Sequence, residues 1–85
     1  MSMENKPQFV YKSRDLGESA ALLCIGFDFI TTEQDQNGRV YFCFPDSLDL
    51  RIAVKAHWDC TLDVKSRYYF DATRTLKNVI YKDKP

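Results

Sequence analysis

The chain has 85 residues, enough for one hydrophobic core and too few for two. It is 45% hydrophobic and 28% charged, with three Gly and three Pro, which excludes a disordered, collagen-like or low-complexity chain. Twelve basic residues balance twelve acidic ones, so no net field draws the molecule as a whole to nucleic acid or an anionic membrane.

Residues 1–8 (MSMENKPQ) carry no period and are expected to form a flexible tail ahead of a single α+β domain at 9–82. The opening stretch is polar and contains Pro7, so no secretory leader is expected. Phe9-Val10-Tyr11 is β-prone; it either adds an edge strand or clamps the tail to the core. Ser13 reads as a helix N-cap, with Asp15 in the first turn where the helix dipole favours negative charge. Leu16, Ala20, Leu23 and Phe27 then recur on one side, which predicts a first helix at about 14–25. Gly26 stands where a left-handed residue ends it.

A hairpin follows, with strands at 27–32 and 39–44 around Asp35-Gln36-Asn37-Gly38. A two-residue Asn-Gly loop would set Glu33 opposite Phe42. A four-residue loop at 35–38 pairs Gln34 with Arg39 and gathers Phe27, Phe29, Phe42 and Phe44 on one side, so the longer loop is expected. Its other face would carry Ile30, Thr32, Tyr41 and Cys43, either covered by protein or forming a dimer surface or an edge for strand addition.

Pro45-Asp46-Ser47 ends the strand, with Asp46 expected to cap a second helix that buries Leu48, Ile52 and Ala56, with Ala53 alongside, and runs to His57 or Trp58. After an extended link at 60–63, a last helix runs from about Val64 to Tyr81 and turns Tyr68, Tyr69, Ala72, Leu76, Val79 and Ile80 inward. The expected fold is α+β: three helices packed on a small antiparallel sheet built on one β-hairpin. The order is helix, hairpin, helix, helix, with short strands at 9–11 and 60–63 as optional additions.

Chemistry finds little support. His57, Asp59 and Cys60 cluster in sequence, but the other cysteines, Cys24 and Cys43, are distant, and neither a zinc site nor a catalytic pair with an orienting group is in view. Asp46 and Asp49 read as capping and dipole compensation. Gly17, Gly26 and Gly38 are isolated and build no phosphate-cradling loop. The cysteines form no CxxC pair and are expected as free thiols of a reducing compartment, the cytoplasm. No run reaches the ~18 apolar residues of a membrane span. No catalytic residue, cofactor, metal or small-molecule substrate is expected.

The asymmetric feature is charge. Residues 1–64 carry six basic and ten acidic side chains; residues 65–85 carry six basic and two acidic. On the last helix Arg67, Phe70, Arg74, Lys77 and Tyr81 share the face opposite the core arc. Arginine and lysine there suit phosphates, with the rings adding stacking. The same stripe suits an acidic protein surface or a second copy of the chain, a homodimer. As a purely solvated face, its two rings would instead rest on the N-terminal segment.

Tyr11-Lys12-Ser13-Arg14-Asp15-Leu16, Ala20-Ala21-Leu22-Leu23 with Gly26-Phe27, Val40-Tyr41-Phe42-Cys43-Phe44, Leu62-Asp63-Val64 and Leu76-Lys77-Asn78-Val79-Ile80-Tyr81 form a series of motifs. Over about 11–81 it resembles a family of small bacterial and phage proteins known as a domain of unknown function, number 5659. The resemblance implies a compact cytoplasmic protein, often of mobile-element origin, with no catalytic residues to carry over. The functional expectation is a non-catalytic binding module acting on nucleic acid as an accessory or regulatory protein. The alternative is a protein-binding inhibitor or adaptor, such as an anti-defence protein, or a homodimerising module. A small enzyme is the third reading.

Overall fold

The computed structural model describes residues 9–82; the tail expected at 1–8 lies outside them. In chain order the elements are β1 (Val10–Ser13), α1 (Leu16–Cys24), β2 (Thr31–Gln34), β3 (Val40–Pro45), α2 (Leu48–Trp58) and α3 (Ser66–Lys82). Both β1 and β2 pair antiparallel with β3, giving the strand order β1-β3-β2. The fold is α+β, as the pattern predicts. The Phe9–Tyr11 run supplies an edge strand, whereas the link at 60–63 forms no strand.

Ser13 does not cap α1. It ends β1 and is buried, accepting a hydrogen bond from the Ser19 hydroxyl at 2.8 Å. Asp15 is the cap, its Oδ1 accepting the Glu18 N–H at 2.8 Å, so the helix starts two residues later than expected. Nor is α1 one-sided. Glu18, Ser19, Ala20, Ala21 and Leu22 are all buried, because β1, α2 and α3 pack around it. Ala20 and Leu22 share one apolar cluster with Phe42, Phe44, Leu50, Ala53, Ala72 and Leu76. Small side chains make this possible. A Cβ added at Gly17 would lie 3.0 Å from the Tyr69 hydroxyl of α3.

The hairpin register differs from the expected one. Gln34 pairs with Val40 and Thr32 with Phe42, one residue away from the four-residue-loop arrangement. The turn explains the slip. Asp35 Oδ1 accepts the Asn37 and Arg39 N–H groups at 2.9 and 3.0 Å, and the Asp35 N–H donates to the Arg39 carbonyl. Asp35 and Arg39 therefore close the loop, and Gly38 completes the reversal at φ 84°. The aromatic cluster survives because Phe29 lies outside β2: its ring meets Phe42 at 5.0 Å and Phe44 at 6.2 Å, both edge-on. The slip also breaks up the expected outer face. Thr32 falls on the same side as Phe42, away from Tyr41 and Cys43. Cys43 is 1% exposed. It lies beneath the Lys12–Glu33 ion pair (2.8 Å), which joins the strands on either side of β3.

On α2 the cap is Ser47, whose Oγ accepts the Leu50 N–H at 3.0 Å. Asp46 instead takes both arms of Arg51 at 2.8 Å, which holds its carboxyl below the usual range. The buried line is Leu50 and Ala53, not Leu48 and Ile52, which are 76% and 58% exposed. Both lines have helical spacing, and the contact of α2 with α1 decides between them. On α3, Ala72 and Leu76 are buried and Tyr69, Val79 and Ile80 half-buried, as expected; Tyr68 is exposed.

Two helices end in the same Schellman geometry. After α1, the Gly26 N–H donates to Leu23 and the Phe27 N–H to Leu22. After α2, Cys60 donates to His57 and Thr61 to Ala56. The left-handed position is Gly26 (φ 105°) in one and Cys60 (φ 62°) in the other. We expect opposite signs from substitutions there. Gly26→Ala should lose about 1 kcal/mol, since open space around Gly26 leaves only the backbone cost. Cys60→Gly should gain about 0.5 kcal/mol. Urea unfolding of both variants checks this; a stabilised Gly26→Ala would contradict it.

Candidate functional site

Two surfaces compete for the functional role. The first is the outer face of α3. Arg67, Phe70, Arg74, Lys77 and Tyr81 are all exposed, and both rings are more than half open. From Arg67 to Tyr81 the helix rises ~21 Å. Arg67 Nε lies 3.7 Å from Asp71 Oδ2, a solvated i,i+4 pair that costs little to break. The Arg74 guanidinium sits 5.9 Å from the centre of the Phe70 ring. The structure thus brings all five residues together along one rod, with the core arc turned away from them.

The second surface is a cleft of about 560 Å³ that no single motif announces. Its walls come from β1 (Tyr11, Lys12), the β1–α1 link (Arg14, Asp15), α1 (Glu18), the hairpin (Arg39, Tyr41) and the end of α2 (Trp58). At its base lies Glu18, only 3% exposed. Glu18 Oε1 accepts the Tyr11 hydroxyl at 3.0 Å and the Trp58 indole N–H at 2.6 Å. Two neutral donors on one oxygen offset the cost of burying the carboxylate. At the rim, the Tyr41 hydroxyl donates to Asp35 Oδ2 at 3.2 Å. Hydrogen bonds from the Arg39 and Asn37 N–H groups help hold the Asp35 carboxyl below its usual range.

Sequence reasoning passed over the cleft because its residues lie up to 47 positions apart, in three stretches at 11–18, 39–41 and 58. One signal was present: Glu18 stands in a run of small and apolar residues, Gly17-Glu18-Ser19-Ala20-Ala21-Leu22, where an acid needs a partner. The His57-Asp59-Cys60 cluster disperses. His57 packs edge-on against Trp58 at 4.8 Å, Asp59 pairs with Lys55 at 2.6 Å, and Cys60 is exposed.

The clasp predicts a pH dependence. Burial first, then the hydrogen bond and charge of Glu18, push the Tyr11 phenol up to about 12. A tyrosine in the unfolded chain ionises near 10. The folded value lies above the unfolded one, so this contribution is complete below pH ~10 and is lost as the pH climbs toward ~12. The urea midpoint should therefore fall over that window, and Tyr11→Phe should remove part of the fall. Burial also raises the Cys24 and Cys43 thiols, so the Tyr11 share is the difference between the two curves. Identical curves would show that the phenol contributes nothing.

Comparison with known proteins gives one family match: the model described as Domain of unknown function (DUF5659) covers residues 6–82. No curated protein and no solved structure matches the chain. Among the described residues, no helix is long and apolar enough to cross a membrane. The matched segment takes in every strand and helix from β1 to α3, and with them both surfaces. The chain belongs to this family, the domain of unknown function DUF5659.

Proposed function

We propose that the protein is a non-catalytic binding module that attaches to nucleic acid through the outer face of α3, as an accessory or regulatory protein. The observation that carries the reading is the joint exposure of Arg67, Arg74 and Lys77 with Phe70 and Tyr81 along that helix. The helix holds four basic residues and one acidic one, on a chain whose first 64 residues are net acidic. Three cations along the stripe match the backbone of a strand, and the rings offer stacking platforms between them. Cys24, Cys43 and Cys60 as free thiols fit work in a reducing cytoplasm. A phage or other mobile element as the source is part of the same proposal.

A second reading, an adaptor or inhibitor for an acidic protein surface, draws on a separate observation. Tyr68 of α3 is also more than half exposed, giving one helix three open rings, a composition typical of protein interfaces.

Gel shift separates the two. Binding to DNA or RNA should fall with salt, log K against log[salt] having a slope of about −2 to −3 for three neutralised phosphates. Arg67→Glu with Arg74→Glu should abolish it. Absence of any shift at low salt, with a pulled-down protein lost on Phe70→Ala, would replace the first reading with the second.

A further inference from the structure

Three features of the Glu18 cleft bear on what it could hold. The first is a pair of guanidiniums. Lys12 is committed to Glu33, but Arg14 and Arg39 make no ion pair among the described residues, and both line the cleft. The second is a fixed ring. Trp58 is 56% exposed, yet its N–H is tied to Glu18 Oε1 at 2.6 Å, so the indole is held at the wall of the cleft. The third is a spare acceptor. Among the described residues, both hydrogen bonds to the Glu18 carboxylate go to Oε1. Among the described residues no sealed side-chain oxygen lacks a partner. Oε2 is therefore not fully sealed, and Glu18 lines the cleft.

We propose that this cleft binds a nucleoside 5′-phosphate, either as a free nucleotide or as the phosphorylated end of a strand. Each feature takes one part of that chemistry. The two arginines match phosphate oxygens with paired N–H donors. The indole face takes the base by stacking. Glu18 Oε2 accepts an N–H on the edge of the base, and its burial makes that contact selective, because a base without the donor leaves the acceptor unpaired. The volume of about 560 Å³ falls within the range of small-molecule sites. The inference does not rest on the α3 reading, since no residue of α3 lines the cleft.

Trp58 is the sole tryptophan, so its fluorescence reports on this wall alone. Titrating the full chain with adenosine 5′-monophosphate should give a saturable change. Adenosine and inorganic phosphate, each lacking one part, should bind at least about tenfold more weakly. The analogue with two methyls on the adenine amino group should also bind about tenfold more weakly. It tests the Glu18 contact without altering a buried residue. Arg14→Gln with Arg39→Gln, both on exposed side chains, should remove the response, while Arg67→Glu with Arg74→Glu should leave it intact. A short 5′-phosphorylated deoxyadenosine strand run beside its unphosphorylated twin distinguishes the two sources. A response to the free nucleotide identifies a nucleotide site, and a response to the phosphorylated strand alone identifies an end-binding site. No saturable change with either at millimolar concentration overturns the proposal, as does binding that survives the double glutamine substitution.

Discussion

One oxygen atom ties the upper half of the molecule together. Glu18 Oε1 accepts from Tyr11 on β1 and from Trp58 at the end of α2, so a strand, a helix and the last residue of a second helix meet at a single acceptor. The carboxylate is nearly sealed from water, and losing either donor would leave its desolvation poorly compensated. The surrounding architecture follows. Arg51, anchored by Asp46, lies 4.9 Å from the centre of the Tyr11 ring, so a cation–π contact braces the same tyrosine against α2. Tyr11 and Trp58, both tied to Glu18, line the cleft beside Arg14 and Arg39.

Around that point α1 acts as the hub, and its composition is what permits the role. A nine-residue helix enclosed by a strand and two helices needs a narrow waist. Gly17, Ser19, Ala20 and Ala21 supply it, while Leu22 fills the centre. A simple amphipathic reading looks for one apolar stripe. It therefore found Leu16, Ala20 and Leu23 and missed that Ser19 and Glu18 face inward to partners of their own.

Legibility in the sequence followed the range of the interaction. The inward face of α3 was readable because a long helix with one packed side repeats its signal over many turns; Ala72, Leu76, Val79 and Ile80 sit where the period puts them. Gly26 was readable because a left-handed residue announces itself. The hairpin register was not, since it turned on Asp35 taking two backbone donors, an interaction of one side chain that alternation of apolar residues does not encode. The buried side of α2 was equally hidden: Leu48-Ile52 and Leu50-Ala53 are both helix-spaced, and the choice belongs to tertiary packing. The basic face of α3 could be drawn on a wheel, whereas the cleft required three separate stretches of chain to be folded before its lining existed.

The sheet itself is built not to grow. Its two borders, β1 and β2, are four residues long, too short to template a stable neighbour. Each carries a charge from the pair that spans the middle strand, Lys12 on one side and Glu33 on the other. A strand arriving along β2 would meet Thr31, Thr32, Glu33 and Gln34, all solvated, and would have to strip water from an ion already neutralised within the molecule. Polymerisation through open edges, the common hazard of small sheets, is thereby discouraged.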